Sequence, residues 1–363
     1  MIVKKLELSN FRNYDNLEID FDKSINILYG NNAQGKTNIL EAVYMSGTAK
    51  SHRSNKDAEI IRFGSAEAHI KLFIEKNERE YRIDMHLKNG RSKGIAINGI
   101  PIRKASELFG VFNVIFFSPE DLSIIKNGPV ERRRFIDLEL CQLDKIYVYN
   151  LTNYSKVLAQ RNKLLKDIGF RKDLTDTLDI WDMQLAEYGK NIIRRRYDFI
   201  NQMNEIVRPI HSKLSNNLEE LKIIYNPNVE IENFEQTLIN NRERDIITKT
   251  TNSGPHRDDI RFFDGDIDLK KFGSQGQQRT VALSLKLAEI ELVKKIIKDS
   301  PVLLLDDVMS ELDDKRQNHL LDSIKDIQTI ITCTGLDEFI ESRLHLNKVY
   351  EVSNGTVSLK EVE

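Results

Sequence analysis

The segment from Gly30 to Thr37, GNNAQGKT, has the residue types and spacing that bind a nucleotide phosphate. It matches the pattern GxxxxGK[ST] between a predicted strand and a predicted helix, which is the context that this pattern requires. The glycines let backbone N–H groups surround a phosphate, the lysine reaches the terminal phosphates, and the threonine hydroxyl binds Mg²⁺. We therefore predict ATP and Mg²⁺ at this loop. The predicted binding residues are Gly30, Asn31, Asn32, Ala33, Gln34, Gly35, Lys36 and Thr37.

An acidic pair, Asp306 and Asp307, follows the apolar run PVLLL. A phosphate-binding loop of this kind needs a carboxylate on the Mg²⁺ side, at the end of a neighbouring parallel strand. We assign that role to Asp306, which would share the metal with Thr37. Asp307 then stands where a general base or a water-orienting residue is needed, so Asp307 and Lys36 are the predicted catalytic residues. An acidic cap on the following helix is a second interpretation of Asp307.

A third segment with small and polar residues, GSQGQQRT at positions 273–280, precedes a run with helical spacing of apolar residues. Free backbone N–H groups at the start of a helix attract anions, and small side chains let an anion come close. Ser274, Gly276 and Gln277 therefore predict an anion site at this helix start.

Composition limits the class of protein. The chain has 363 residues, a formal net charge of −2 and 40% hydrophobic residues, which is typical of a soluble protein with one large or two ordinary domains. The two cysteines, Cys141 and Cys333, lack zinc-site or disulfide spacing, and no membrane span or secretion signal is visible. We expect a cytoplasmic protein without a membrane partner.

The pattern of apolar residues divides the chain into three parts. Residues 1–125 are strand-rich, with hairpin signals at Asn89-Gly90 and Asn98-Gly99. Residues 126–249 have long helical patterns, and residues 250–363 return to alternating strands and helices. The predicted fold is an α/β ATPase lobe, with a parallel core and a flanking antiparallel sheet, into which an α-helical lobe is inserted.

Together, the three segments and Ser310-Glu311-Leu312-Asp313 resemble the four motifs of ABC-type P-loop ATPases. In that family, the serine of the signature segment and the N-terminus of its helix bind the γ-phosphate of the nucleotide held by the other protomer. The resemblance therefore implies an ATP-dependent homodimer in which Ser274, Gly276 and Gln277 contact the partner's nucleotide.

Longer stretches of the chain resemble the RecF family of bacterial recombination mediators. They include LELSNFRNY, KSHRSNKDAEIIRFG, FFSPEDLSIIKNGPVERRRFIDLEL and SGPHRDD. The resemblance implies a DNA-binding protein that dimerises on ATP, recognises double-stranded and gapped DNA at junctions with single strands, and acts with RecR and RecO. It further implies a part in loading RecA, in replication restart and in the SOS response. Arg12 and Asn13 match the nucleotide-proximal segment of the family, although a plain strand end is a second interpretation.

The predicted DNA contacts are Arg132, Arg133 and Arg134, the densest basic run along with residues 194–196. Clustered cations neutralise DNA phosphates, although a solvated surface would explain the same run. Asp307 is one methylene shorter than the glutamate of many ABC-type enzymes, so we expect slow ATP hydrolysis.

Two other kinds of protein share parts of this pattern. A short DNA-tethering ATPase of SMC type would need longer helices than the ~30 residues available here, and a nuclease with an ABC-type head would need a further acidic domain. A transporter subunit is disfavoured because its glutamine and histidine loops are missing.

Overall fold

Strand-rich and helical stretches alternate along the chain. The computed structural model describes residues 1–54, 56–335 and 348–360. Its strands are β1 (Ile2–Phe11), β2 (Tyr14–Asp20), β3 (Ile25–Tyr29), β4 (Glu67–Lys76), β5 (Arg79–Lys88), β6 (Gly94–Ile97), β7 (Ile100–Pro101), β8 (Val114–Phe117), β9 (Leu221–Asn226), β10 (Asp259–Asp264), β11 (Ile267–Asp268), β12 (Val302–Asp306), β13 (Thr329–Cys333), β14 (Lys348–Ser353) and β15 (Thr356–Lys360). Its helices are α1 (Lys36–Thr48), α2 (Pro129–Leu143), α3 (Lys145–Ile168), α4 (Leu178–Leu214), α5 (Phe234–Asn240), α6 (Arg242–Thr248), α7 (Leu269–Phe272), α8 (Gln275–Ile297) and α9 (Asp314–Ser323).

The chain divides into two compact units, one of residues 1–122 with 289–363 and the other of residues 123–288. The first junction lies close to the predicted one at 125, whereas the second lies well beyond the predicted one at 249. The difference arises because β10, in the stretch that we had assigned to the ATPase lobe, pairs residue by residue with β9 of the inserted unit. The segment GSQGQQRT at 273–280, which resembles the ABC-type signature, therefore belongs to the second unit.

A parallel sheet forms the centre of the first unit. Its strands follow the order β15-β14-β3-β13-β12-β8, and every neighbouring pair is parallel except β15 with β14. β13 and most of β12 are buried along their length, which explains their continuous apolar sequences. Because parallel strands end at one edge of a sheet, the residues that follow β3 and β12 lie close together. The predicted α/β ATPase fold is confirmed.

A second sheet of the first unit has the order β2-β1-β4-β5-β6-β7 and is antiparallel throughout. Buried and exposed residues alternate along β4, so one face of this sheet packs on the core and the other faces solvent. On β4 and β5, His69 lies opposite His86 and Glu67 lies opposite Lys88. The predicted flanking antiparallel sheet is thus present.

Helices α3 and α4, of 24 and 37 residues, dominate the second unit. Along α4, Leu185, Ile192, Phe199 and Met203 are buried, at the three- or four-residue spacing and its multiples that one helix face requires. No helix within the described ranges is both long and apolar enough to cross a membrane.

An arginine on α3, Arg161, is completely buried in this unit. Its guanidinium donates to Asp182 at 2.6 Å, to Asp245 at 2.7 Å and to Thr251 at 2.8 Å. Both carboxylates are almost fully buried as well. Removing one partner of such a pair leaves an uncompensated buried charge, so these contacts tie α3, α4 and α6 into one packing unit.

Candidate nucleotide-binding site

The phosphate-binding loop joins β3 to α1 and depends on two glycines. Gly30 and Gly35 have φ angles of 146° and 115°, which side chains disfavour. A Cβ atom at Gly30 would lie 2.3 Å from the carbonyl oxygen of Val352, and one at Gly35 would lie 2.6 Å from Asn13. Gly30 is therefore required by close backbone packing as well as by the turn, and Gly35 by the turn and by the side chains of Asn13 and Tyr14 packed on it.

The amine of Lys36 lies inside the loop. Lys36 is 7% exposed, and its Nζ donates to the carbonyl oxygens of Gly30 at 2.6 Å and Asn31 at 2.8 Å. Burial lowers the pKa of this amine, although the nearby Asp307 carboxylate opposes that effect. Both hydrogen-bond acceptors of the ammonium are uncharged. A phosphate of a bound ligand would therefore be its direct negative partner.

Thr37 and Asp306 meet at the carboxyl edge of the parallel sheet. The hydroxyl of Thr37 donates to Asp306 Oδ1 at 2.8 Å, and the hydroxyl of Thr332 on β13 donates to the same oxygen at 2.7 Å. Burial raises the pKa of Asp306, while these two hydrogen bonds act in the opposite direction. A threonine hydroxyl and a carboxylate in contact are hard oxygen ligands of the kind that Mg²⁺ takes, so these two residues fit the predicted metal.

Asp307 is held next to this pair in a left-handed conformation, with φ 53°. Its backbone N–H donates to Thr332 Oγ1 at 3.0 Å, and burial raises the pKa of its carboxyl group. A non-glycine residue in this conformation is uncommon and marks a position that the surrounding structure fixes. The fixed backbone thus places the Asp307 carboxyl, whose pKa is raised by burial, at the wall of the cavity that contains Lys36 and Thr37.

These groups share a cavity of about 230 Å³. The residues that line it are Asn32, Ala33, Gln34, Gly35, Lys36, Thr37, Asn38, Arg53, Asp306, Asp307 and Thr332. Arg53 is the lining residue with a fixed positive charge that the sequence analysis did not single out; its Nη1 donates to Asn38 Oδ1 at 3.2 Å. It belongs to the stretch KSHRSN, which carried a family resemblance but no spacing that indicated a role.

Asn13 and Arg12 contact the framework of the loop. Asn13 Nδ2 donates to the carbonyl of Gln34 at 2.9 Å, whereas Arg12 makes two hydrogen bonds, of 2.7 and 2.6 Å, with the buried carboxylate of Glu41. The guanidinium of Arg12 is therefore committed to a protein carboxylate in α1. Its predicted place next to the nucleotide stays a prediction, and what the structure supports is a role in positioning the loop.

The turn between β14 and β15 supports the same loop. The backbone N–H of Asn354 donates to Gln34 Oε1 at 2.6 Å, and that of Gly355 donates to the Gln34 carbonyl at 3.4 Å. Gly355 has φ 74°, and a Cβ there would lie 2.9 Å from the Asn13 carbonyl. Gln34 thus accepts hydrogen bonds from Asn13, between β1 and β2, and from the turn between β14 and β15.

In the second unit, Ser274 and Gln277 form a reciprocal cap at the start of α8. The N–H of Ser274 donates to Gln277 Oε1 at 2.9 Å, and the N–H of Gln277 donates to Ser274 Oγ at 3.2 Å. Ser274 and Gly276 are exposed. The two side chains therefore satisfy two of the backbone N–H groups at the helix start in the single chain, and the pattern S-x-x-Q was a visible signal for this.

The segment GPHRDD, which had no assigned role, forms part of a buried polar network. Asp258 Oδ2 accepts hydrogen bonds from Arg196, at 2.8 Å, and from Tyr225. His256 contacts the hydroxyl of Tyr154 at 2.7 Å and the Thr251 carbonyl at 3.0 Å. Burial lowers the pKa of His256. These residues hold the second unit together.

The three arginines predicted to contact DNA differ in exposure. Arg132 is 1% exposed and donates to both oxygens of Asp259, at 2.7 and 3.0 Å. The prediction that Arg132 contacts DNA is therefore wrong, because its guanidinium has no exposed surface. Arg133 donates to the Asp258 carbonyl at 2.6 Å, and Arg134 is exposed with Glu131 3.9 Å away.

Comparison with known families gives a match over nearly the whole chain. The profile described as RecF/RecN/SMC N terminal domain matches residues 2–358. The DNA replication and repair protein RecF of Agathobacter rectalis is 61% identical over 359 residues, with 99% of each chain covered. The protein of that name from Clostridium perfringens is 45% identical, with 98% of this chain and 99% of its own covered.

Solved structures give the same result. A structure of the recombination mediator protein RecF with ATP in the RecFOR pathway has a TM-score of 0.93 and 34% identity, and covers 99% of this chain and 98% of its own. The Smc head domain of Pyrococcus furiosus has a TM-score of 0.57 at 18% identity, with 99% of this chain and 96% of its own covered, and is similar in fold alone.

Proposed function

The chain belongs to the RecF family of DNA replication and repair proteins, and we propose that it is an ATP-dependent, DNA-binding recombination mediator. The observation that carries the proposal is the contact of Thr37 with Asp306 beside the buried amine of Lys36. A metal-binding pair and a cation with neutral partners, joined by a glycine-rich loop, suit a nucleoside triphosphate with its Mg²⁺.

In this proposal, the residues of the loop from Gly30 to Gly35 surround the β-phosphate with backbone N–H groups. Lys36 turns from its two carbonyl acceptors to the terminal phosphates, and Thr37 with Asp306 holds Mg²⁺. Asp307 orients the attacking water. Because its side chain is one methylene shorter than glutamate, hydrolysis is slow and serves to release the bound state.

ATP acts on assembly through a second copy of the chain. Ser274, Gly276 and the N-terminus of α8 bind the γ-phosphate held in the loop of the partner, so two nucleotides join two protomers. A ligand that binds only the dimer shifts the monomer–dimer equilibrium in proportion to its affinity for that state. The exposure of Ser274 and Gly276 leaves this helix start open to a partner.

DNA is bound by exposed cations of the second unit. Arg134 stays in this set, and α3 adds Lys156, Lys163 and Lys166, all exposed and spaced to share one face of the helix. Dimerisation doubles the number of these contacts, so ATP gates the affinity for duplex DNA and for gapped junctions.

The proposed protein partners are RecR and RecO. With them, the chain would help to load RecA in DNA repair, replication restart and the SOS response. The proposed location is the cytoplasm.

A mixing experiment tests the composite site. Lys36→Ala disables the loop and Ser274→Ala the signature, so each variant alone is expected to stay monomeric with ATP and to bind gapped DNA weakly. In an equimolar mixture, one of the two sites in each heterodimer contains an intact loop and an intact signature. We expect partial recovery of ATP-dependent dimers by analytical ultracentrifugation, and of DNA binding by fluorescence anisotropy.

The matched control is Ser300→Ala, a serine between α8 and β12 that belongs to neither motif, which should behave as the unaltered protein. The composite site is contradicted if the mixture recovers nothing, or if Ser274→Ala alone dimerises normally. DNA binding that does not depend on ATP would overturn the gating part of the proposal.

A further inference from the structure

Two histidines and a glutamate gather on the solvent face of the antiparallel sheet. His86 Nε2 lies 3.1 Å from Glu67 Oε2, and His69 Nε2 lies 3.8 Å from Glu67 Oε1. The two imidazole rings are stacked, with centroids 4.4 Å apart and an interplanar angle of 8°. One possible ligand atom from each residue lies within 4.8 Å of the other two.

The strand register brings these side chains together. His69 on β4 lies directly opposite His86 on β5, and Glu67 is two residues before His69, so all three project from the same face. The neighbours in this row are small: Ser9 of β1 pairs with His69, and Gly94 of β6 pairs with His86. Small neighbours leave the histidine pair open to solvent.

From this cluster we infer a binding site for a divalent transition-metal ion, Zn²⁺ foremost, formed by Glu67, His69 and His86. Two imidazoles and one carboxylate, with the last position left to water, are a common ligand set for open zinc sites. At Zn–N bonds of about 2.0–2.1 Å, tetrahedral ligand atoms lie roughly 3.3 Å apart. The three side chains are partly exposed, so small rotations bring their ligand atoms to that separation.

Lys88 is the competitor of the metal. Its Nζ lies 3.0 Å from Glu67 Oε2. The carboxylate of Glu67 thus already has one cation as a partner, which a metal ion would displace. Exposed ion pairs of this kind contribute little to stability, so exchange of the ammonium for a metal ion costs little.

This site is separate from the nucleotide cavity, because none of its three residues lines that cavity. It therefore does not depend on the proposed function, and it can be tested without nucleotide. Imidazole nitrogens favour Zn²⁺, Ni²⁺ and Cu²⁺ over Mg²⁺, so the metal preferences of the two sites are expected to differ.

The test is a Zn²⁺ titration of the whole, untagged chain by calorimetry without nucleotide, together with Co²⁺ substitution followed by visible d–d absorption. We expect saturable binding and tetrahedral Co²⁺ bands. His69→Ala, His86→Ala and Glu67→Gln should each weaken binding by about 10- to 100-fold or more, because each removes a ligand and the loss of an outer-shell partner alone has an effect of that size. Lys88→Met should strengthen it.

Two controls locate the ion. His319→Ala removes a histidine on α9, and Asp306→Asn removes the carboxylate of the nucleotide site; both should leave the Zn²⁺ affinity unchanged. A thermal melt of each ligand-free variant checks the fold. The inference is overturned if the His69→Ala/His86→Ala double variant binds Zn²⁺ as tightly as the unaltered chain, or if Asp306→Asn abolishes the binding.

Discussion

Lys36 and Arg161 are both buried cations, but their surroundings differ in one decisive respect. The amine of Lys36 donates to two backbone carbonyl oxygens, whereas the guanidinium of Arg161 contacts two buried carboxylates. The charge of Arg161 is thus balanced by direct contact with carboxylates. Lys36, by contrast, has neutral direct partners and the carboxylates of Asp306 and Asp307 only at longer range, so a ligand can supply its direct negative partner. Burial alone does not distinguish a structural cation from a functional one; the charge of its hydrogen-bond partners does.

The largest effect is expected for Arg161→Met. The change leaves Asp245 and Asp182 buried without their common cation, and breaking such a pair lowers the free energy of unfolding by about 3–5 kcal/mol. Urea unfolding followed by circular dichroism measures the loss. The exposed Lys166, at the end of the same helix, provides the control: Lys166→Met should stay within about 0.5 kcal/mol. A stability equal to that of the unaltered chain would break the comparison.

Lys36→Met should have the opposite effect to Arg161→Met: it should weaken ATP binding without lowering the free energy of unfolding. Loss of the ammonium removes the contact with the terminal phosphates, and we expect ATP affinity to fall about 100-fold, or about 2.7 kcal/mol. The free energy of unfolding without nucleotide should stay the same or rise, because burial already disfavours the charged amine. Titration with a fluorescent ATP analogue and a ligand-free melt measure both quantities. Lys50→Met, at an exposed position just after α1, should change neither.

The pH dependence of the melting temperature should differ between Asp306→Asn and the unaltered protein. Burial raises the pKa of Asp306, so the folded state binds a proton more readily than the unfolded state, and ionisation of Asp306 destabilises the ligand-free fold above the folded-state pKa. An asparagine still accepts from Thr37 and Thr332 but carries no charge. We expect the variant to melt a few degrees higher at pH 8.

That advantage of Asp306→Asn should shrink as the pH falls through the raised pKa, because Asp306 then becomes neutral in the unaltered protein too. Mg²⁺-dependent ATP binding should be lost in the variant at every pH. A lower melting temperature at pH 8 would contradict the assignment of Asp306 as a group held ready for a metal.

The smallest effect is expected for Arg134→Ala. This exposed arginine is proposed to contact one DNA phosphate, so its loss should reduce the slope of log affinity against log salt by about 1 and weaken duplex binding uniformly across sequences. Stability should change by less than about 0.5 kcal/mol. Anisotropy titrations at several salt concentrations measure the slope, and an unchanged slope would remove Arg134 from the DNA-binding set.

The phosphate-binding loop was predictable because its requirements are local. Two glycines, a lysine and a threonine at fixed spacing determine the turn between β3 and α1, and the structure places Lys36 and Thr37 where that pattern predicts. The reciprocal cap of Ser274 and Gln277 follows an equally local pattern, S-x-x-Q, and the anion site at the same helix start stays a prediction.

The run of Arg132, Arg133 and Arg134 does not by itself show which of its side chains is buried. Successive residues of an α-helix point about 100° apart, so Arg132, Arg133 and Arg134 cannot share one environment. Which of them is buried depends on Asp259, which is 127 residues further along the chain. The second boundary depends on long-range contacts of the same kind, since β10 pairs with β9 and Ser284 contacts His211 on α4, both within the second unit.

The hydrogen bonds from the β14–β15 turn to Gln34 have a consequence for biosynthesis. Asn354 is 320 residues downstream of Gln34, and a ribosome delivers the loop long before it delivers that turn or the strand that ends in Asp306. A nascent chain therefore has the glycines and the lysine of the loop without their supports. ATP is expected to bind only after nearly all of the described chain has been translated, so the nucleotide cannot guide the folding of the first half.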